Sequence, residues 1–208
     1  MAPKPASPIV PTRQIAFDYD RTVVAFHGTR KSAAEKLVAG TPFGKSENDD
    51  DWLGHGIYFW EYAPQQAWWW ADRRYGVSDA AVVGSLVRLG RCIDLLDPSN
   101  ADLLVTAYSE LESMLTQAGQ SLKKNANIHK YRDCAVFNYL FAKLEQSDLQ
   151  VESARAVFVP LEASKGLPRL WDRSGVFRGA HIQISVRESN NILAVWPVRR
   201  DGRYGKDE

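Results

Sequence analysis

The sequence predicts an α+β fold in which two packed sheets enclose a helical middle. Short β-branched or alternating segments lie near both ends of the chain, at residues 23–26, 182–187 and 192–198. Between them, two stretches at about residues 97–117 and 131–144 have the helical spacing of apolar residues. No segment is repeated along the sequence, which argues against a repeat architecture.

The first predicted elements are a strand and a short helix. Residues 23–26 are apolar and partly β-branched, which predicts a buried strand. Ser32 and Glu35 follow with the spacing of a capping box, and Gly40 is the expected stop of the helix that they begin.

A second short strand is predicted around Tyr58, with a helix after it. Pro64 marks the start of that helix, and Gly76 lies just past its end. The helix carries three consecutive tryptophans at residues 68–70. Because neighbours on a helix differ by about 100°, we expect one or two of them to pack and one to be exposed.

The remaining elements follow from the same signals. They are a buried strand at residues 79–89, a helix that opens at Asp97 and runs to about Gln117, a helix at 131–144, and strands at 154–160, 182–187 and 192–198. Residues 1–14 are proline-rich and predict a mobile arm, and residues 199–208 predict a charged tail. A single domain is expected at residues 15–198.

Composition narrows the class of protein. The 208 residues are 45% hydrophobic, enough for one well-filled core, and the net charge is +1, so no global field attracts nucleic acid or membrane. The sequence has no long apolar span and no secretory signal, which predicts a cytoplasmic protein without a membrane partner. Cys92 and Cys134 lie in apolar stretches without metal-ligand spacing, so we expect buried thiols and no metal site.

Two short segments carry the chemistry: Phe26-His27-Gly28-Thr29 and Gly54-His55-Gly56-Ile57-Tyr58-Phe59. A glycine lets another molecule approach the backbone, so the N–H and C=O of Gly28 are suited to pair with a flat carboxamide. His27 is suited to bond a ribose hydroxyl, and the ring of Tyr58 to stack on a planar heterocycle. Together the segments predict a nicotinamide pocket.

These segments resemble the signature of the diphtheria-toxin-like and poly(ADP-ribose) polymerase-like ADP-ribosyltransferases. Residues 51–61 and 181–184 also resemble stretches shared by a bacterial group within that superfamily. The resemblance implies a split β-sandwich with peripheral helices and NAD as co-substrate. It assigns His27 and Gly28 to the NAD ribose and the nicotinamide amide, and Tyr58 to the nicotinamide ring. A third residue, often glutamate in that family, orients the ribose 2′-hydroxyl.

Gln183 is the expected third residue, because the last motif of that family lies on a late strand and residues 181–187 alternate best near the C-terminus. An amide can accept a bond from the 2′-hydroxyl, but it supplies neither a negative charge nor a base. The His-Tyr-Gln signature therefore predicts transfer of one ADP-ribose rather than a polymer. Glu188 is the alternative, although alternation puts it on the opposite face or past the strand.

Further candidates surround these motifs. Residues expected to contact ribose or pyrophosphate, each with a purely structural alternative, are Thr29, Arg30, Ser46, His55 and Gly56. The acidic loop at residues 48–51 is either simply solvated or lies over the NAD adenosine. A cationic cluster consists of Lys123, Lys124, Lys130 and Arg132. It either belongs to a solvated helix connection or binds an acidic acceptor.

The function expected from these residues and the resemblance is mono-ADP-ribosylation of a macromolecular acceptor, either protein or nucleic acid, as a bacterial toxin or phage-defence effector restrained by a neutralising antitoxin. A non-catalytic NAD or ADP-ribose binding module is the main alternative, since glutamine replaces glutamate. An RNA 2′-phosphotransferase ranks last, because Tyr58 occupies a motif that normally holds histidine in that class.

Overall fold

The structure is a computed structural model that describes residues 18–126, 129–160 and 168–200. Its six strands are β1 (Asp18–Arg30), β2 (Ile57–Glu61), β3 (Ala80–Asp94), β4 (Ser153–Phe158), β5 (His181–Val186) and β6 (Ile192–Val198). Its four α-helices are α1 (Lys31–Val38), α2 (Pro64–Tyr75), α3 (Ala101–Gln117) and α4 (Tyr131–Glu145). Short 3-10 turns at Pro98–Asn100 and Ser189–Asn191 precede α3 and β6.

The strands form one mixed sheet in the order β1-β2-β5-β4-β3-β6, and β1 also pairs with β3. That extra pairing closes β1, β2, β5, β4 and β3 into a ring. Strand β6 pairs with the edge of β3 opposite β1. Among the strands that the structure describes, β3 and β4 alone pair in parallel. The predicted α+β class is confirmed, but the strands hydrogen-bond as one sheet rather than as two. Such sharing is possible because β1 and β3 are 13 and 15 residues long, so that different stretches of each contact different neighbours.

One core lies inside this ring. Alternate residues of each strand point to the same face of the sheet, and the apolar ones on the inner face pack together. This inner cluster contains Val23, Ala25, Ile57, Phe59, Val87, Leu89, Cys92, Ile184 and Val186, with Phe43 and Ile192 against it.

Two further clusters cover the outer face. Helices α3 and α4 pack on β4 and the end of β3 through residues such as Phe137, Leu140, Ile93 and Ala156. Helix α2 covers the region of Trp60 and Val82. Trp68 and Trp70 pack in this second cluster, while Trp69 is 57% exposed, which confirms the expectation for the three tryptophans.

Several predicted boundaries are correct and others are not. Helix α2 and β6 match their predictions, and both cysteines are buried free thiols. The capping box is wrong: α1 begins at Lys31 directly after β1, and Ser32 does not cap it because the N-cap is Arg30. Strand β3 runs five residues past Leu89 because Cys92–Asp94 pairs in parallel with β4, a contact without local sequence signal.

The predicted arm at residues 1–14 and most of the predicted tail at 199–208 lie outside the described residues. Among the described residues, no helix is long and apolar enough to cross a membrane. They also contain no group of three or more potential ligands placed to hold a metal ion.

Candidate functional site

The two motif segments meet where β1 separates from β2. Strand β1 pairs with β2 through Ala25 and Phe26, whereas from His27 to Arg30 it pairs with β3 alone. At this point the imidazole of His27 donates from Nδ1 to the main-chain oxygen of Tyr58 over 2.8 Å. The side chain of His27 thus connects the two strands where their backbone pairing ends.

The environment of His27 keeps its imidazole neutral. Burial lowers its pKa, and the bond to the Tyr58 carbonyl opposes that shift only in part. A carbonyl can only accept, so Nδ1 carries the proton and Nε2 is the acceptor. Within the described residues no hydrogen bond reaches Nε2. The ring also packs against Phe43 and Phe59 at centroid distances of 5.3 and 5.6 Å.

Gly28 lies directly against helix α2. A Cβ at this position would come within 2.6 Å of the Ala67 main-chain oxygen and 3.1 Å of the Trp70 ring. The packing of α2 on β1 therefore requires a glycine here independently of any ligand. Its neighbour Thr29 is buried, 6% exposed, and Arg30 is exposed beside Asp79 with its guanidinium 4.9 Å from the Tyr75 ring.

The hydroxyl of Tyr58 is fully used by the turn before its strand. It accepts from the Leu53 N–H over 2.9 Å and donates to the Gly54 carbonyl over 2.8 Å. Burial raises the pKa of Tyr58 well above its ordinary value, so the hydroxyl stays protonated. The hydroxyl is thus occupied within the protein, and the half-buried ring packs against the cluster formed by α3 and α4.

Gln183 is held by two side chains at once. Its Oε1 accepts from the indole N–H of Trp52 over 2.8 Å, and its Nε2 lies 3.0 Å from Nε2 of His181. Strand β5 places Gln183 opposite Trp60 and Ser185 opposite Tyr58.

These registers assign the three signature residues to faces of the sheet. Residues directly opposed across a ladder share a face, as do residues two apart on a strand. Tyr58 and Gln183 therefore share the outer face with Trp60. His27 follows Phe26, which is opposite Trp60, and so points to the inner face with Phe59. The register makes Tyr58 and Gln183 diagonal neighbours on the outer face, whereas the His27 side chain lies on the inner face and hydrogen-bonds the main-chain oxygen of Tyr58. The three signature side chains therefore do not all lie on one face of the sheet.

Glu188 lies apart from this group. It follows the end of β5 at Val186 and accepts a bond from Gln150 over 3.2 Å. Val186 pairs with Ile57, at the end of β2 away from the Trp60–Gln183 pair.

The other candidates support the loop before β2. Ser46 and Gly56 form an isolated bridge through two main-chain bonds of 2.8 and 3.0 Å. Asp51 accepts from the Ser46 hydroxyl over 3.1 Å, and its pKa is raised chiefly by burial. His55 donates its main-chain N–H to the Asn138 side chain over 2.9 Å and is partly exposed. A Cβ at Gly56 would come within 2.3 Å of the Ser185 hydroxyl oxygen.

The acidic loop and part of the cationic region meet each other. Lys123 is 3.2 Å from Asp49, and its ammonium lies 3.1 Å from the Tyr131 ring centroid. His129 approaches Asp50 at 2.6 Å. Arg132 lies over the Tyr108 ring at 5.6 Å. Lys124 is exposed and Lys130 half-buried. The carboxylates of the loop thus neutralise part of the positive charge predicted to grip an acceptor.

Sequence reasoning missed Trp52, His181 and Asn138 as partners of the site. The position of His181, two residues before Gln183 and so on the same face of β5, is a local signal that could have identified it. Trp52 and Asn138 contact the site across 131 and 83 residues of sequence, with no local signal.

Comparison of the chain with family models, curated proteins and solved structures finds no significant match.

Proposed function

We propose that this chain is a mono-ADP-ribosyltransferase that uses NAD as co-substrate and transfers one ADP-ribose to a macromolecular acceptor. The observation that carries the proposal is the separation of β1 from β2 at His27, where both motif segments meet. From His27 onward, the side of β1 towards β2 has no ladder partner in that strand. Backbone groups without a ladder partner are the kind of surface that pairs with a carboxamide.

The side chains around this separation have chemistry suited to NAD. His27 is neutral with Nε2 as an acceptor, which fits a ribose hydroxyl. The ring of Tyr58 offers an aromatic surface, and its hydroxyl is fixed by Leu53 and Gly54, so the ring is held in one orientation. NAD supplies the scissile bond between nicotinamide and ribose. The protein contributes positioning rather than a strong nucleophile.

Gln183 is the reason for proposing a single transfer. An amide accepts a hydrogen bond but cannot take a proton at neutral pH, so it cannot activate a second ribose hydroxyl as a base. Its outer-face position beside Tyr58 suits the contact with the ribose 2′-hydroxyl.

A second candidate function is a non-catalytic NAD or ADP-ribose binding module. It is favoured by the two bonds that engage both ends of the Gln183 amide within the protein. Release of nicotinamide separates the two candidates, because a binding module leaves NAD intact.

Protein is favoured over nucleic acid as the acceptor. The net charge of the chain is +1, and the ammonium group of Lys123 is paired with the Asp49 carboxylate. Nucleic-acid binders carry basic surfaces whose charges are free for phosphates. Incubation of the protein with labelled NAD and a cell lysate, followed by mass spectrometry, should show one ADP-ribose on a protein side chain. Labelled polymer, or NAD left unchanged, would contradict the proposal.

An enzyme of this kind consumes NAD or modifies molecules of the cell that makes it. We therefore expect a neutralising antitoxin or a dedicated hydrolase to restrain it. Expression alone in a bacterial host should be toxic for the wild type and harmless for Tyr58→Ala at matched protein levels. Equal growth with both proteins would contradict a role as toxin or defence effector.

A further inference from the structure

A chain of three hydrogen bonds runs through Gln183. The Trp52 indole contacts Gln183 Oε1 at 2.8 Å, Gln183 Nε2 contacts His181 Nε2 at 3.0 Å, and His181 Nδ1 contacts the Gly179 carbonyl at 2.6 Å. Both ends of the chain are fixed by chemistry, since an indole nitrogen only donates and a carbonyl oxygen only accepts.

These ends determine every proton in between. His181 must donate from Nδ1 to Gly179, and in the neutral ring Nε2 is then an acceptor. Gln183 must present its oxygen to Trp52, so its amide N–H donates to His181 Nε2. The orientation of the Gln183 amide thus depends on a neutral His181 with its proton on Nδ1.

Packing supports this state of the ring. The Phe158 ring lies 5.3 Å from both Trp52 and His181, and Phe158 is opposite His181 across the β4–β5 ladder. Burial is the larger influence on His181 and lowers its pKa, while the Gly179 carbonyl raises it. The hydrogen-bond and ring partners of the His181 side chain within the described residues are Phe158, Gly179 and Gln183, and none of the three is charged.

We propose that His181 is a positioning residue of the proposed transferase: its neutral imidazole holds the Gln183 amide in the orientation used for the ribose, and its protonation releases that amide. This inference rests on the proposed function. A protonated ring carries N–H on both nitrogens, so Nε2–H would face the Gln183 amide N–H and the bond between them would be lost. Rotation of the amide to restore the bond would turn its NH₂ group towards the Trp52 N–H.

The same network explains why glutamine suits this position. An ionised glutamate accepts from Trp52 but has no proton to give to His181 Nε2. Gln183→Glu therefore fits the network only with a protonated His181, and we expect that substitution to raise the pKa of His181.

The test compares two substitutions at residue 181. His181→Gln keeps an acceptor without a group that titrates near neutral pH, whereas His181→Phe keeps a flat ring against Phe158 and removes the acceptor. In the wild type, kcat for nicotinamide release should fall as the pH drops through the pKa of His181 and should level off about tenfold or more lower, near the rate of His181→Phe. His181→Gln should retain the neutral-pH rate and lose that fall, and His181→Phe should lose about tenfold or more in kcat at every pH. Identical pH profiles for the wild type and both variants would overturn the proposal.

Nuclear magnetic resonance provides a readout that does not need activity. The imidazole ¹⁵N shifts of His181 should show the Nδ1–H form, and the Trp52 indole N–H resonance should move with the midpoint of His181. In His181→Gln the Trp52 movement should disappear. The proposal is overturned if the Trp52 resonance does not shift as His181 titrates, or if the neutral His181 ring carries its proton on Nε2. Coupled resonances in a protein that releases no nicotinamide at any pH would contradict the proposed function and the positioning role, while leaving the hydrogen-bond chain in place.

Discussion

The imidazole Nδ1 of His27 donates a hydrogen bond to the main-chain oxygen of Tyr58, 2.8 Å away and 31 residues along the chain. This bond joins the two motif strands at the point where their ladder ends after Phe26. It also fixes the proton of His27 on Nδ1 and leaves Nε2 as an acceptor. The relationship makes His27 a connection between strands as well as a candidate ligand contact.

The two parts of the Tyr58 side chain should have separable effects. Tyr58→Phe keeps the ring but leaves the buried Leu53 N–H without its partner, so we expect a loss of about 1–3 kcal/mol in unfolding free energy with most activity retained. Tyr58→Ala should lose activity because the ring is absent. Denaturant unfolding and nicotinamide release measure the two effects. Equal activity losses in both variants, each still folded, would contradict the role of the ring.

Substitutions at Gln183 and Glu188 test which residue is the third signature position. Gln183→Ala removes the amide that contacts Trp52 and His181, and its rate of nicotinamide release should fall about tenfold or more. Glu188→Ala is the matched control, because Glu188 lies past the end of β5 and, among the described residues, its side chain hydrogen-bonds only that of Gln150. An inactive Glu188→Ala beside a fully active Gln183→Ala would show that Glu188 is the third residue.

A buried ionic triad should contribute strongly to stability. Arg155 binds Glu61 through Nη2 at 2.7 Å and Asp94 through Nη1 at 3.0 Å, and all three residues are at most 9% exposed. Arg155→Met would leave two buried carboxylates without their cation, and we expect a loss of about 3–5 kcal/mol. Urea unfolding measures it. The double variant Arg155→Met with Glu61→Gln should recover part of the loss. An unchanged unfolding free energy in Arg155→Met would contradict a stabilising role of the triad.

Salt dependence tests the nature of the acceptor. If the acceptor is protein, as we propose, apparent affinity should change little between low and physiological salt. A nucleic-acid acceptor would release counterions, and affinity would fall steeply with salt. Replacement by serine of the four cations Lys123, Lys124, Lys130 and Arg132 should leave the shallow slope unchanged. A steep slope that these replacements reduce would identify nucleic acid instead.

Local signals in the sequence predicted most elements but not their arrangement. The Pro64 and Gly76 signals gave the bounds of α2, and alternation gave β5 within one residue at each end. The pairing of β1 with β3 and the closed ring of strands depend on contacts distant in sequence, for which no local signal exists.

The candidate site shows the same division. Alternation predicts that Gln183 and His181 share a face, but it cannot reveal Trp52, which approaches from a loop far away in sequence. Nor did the sequence show that Gly28 is required by the backbone of α2. The packing of α2 therefore accounts for a glycine at position 28, in addition to the proposed contact with the nicotinamide amide.

The most direct test of the proposed function compares the rates at which the wild type and His27→Ala release nicotinamide from NAD, measured by chromatography. Thermal melts show whether both proteins are folded. Loss of the His27 imidazole removes the Nε2 acceptor and the bond to Tyr58. We expect steady release by the wild type and a loss on the order of 10²-fold or more in the variant. No release by a folded wild type, or equal rates in both proteins, would contradict the proposed function.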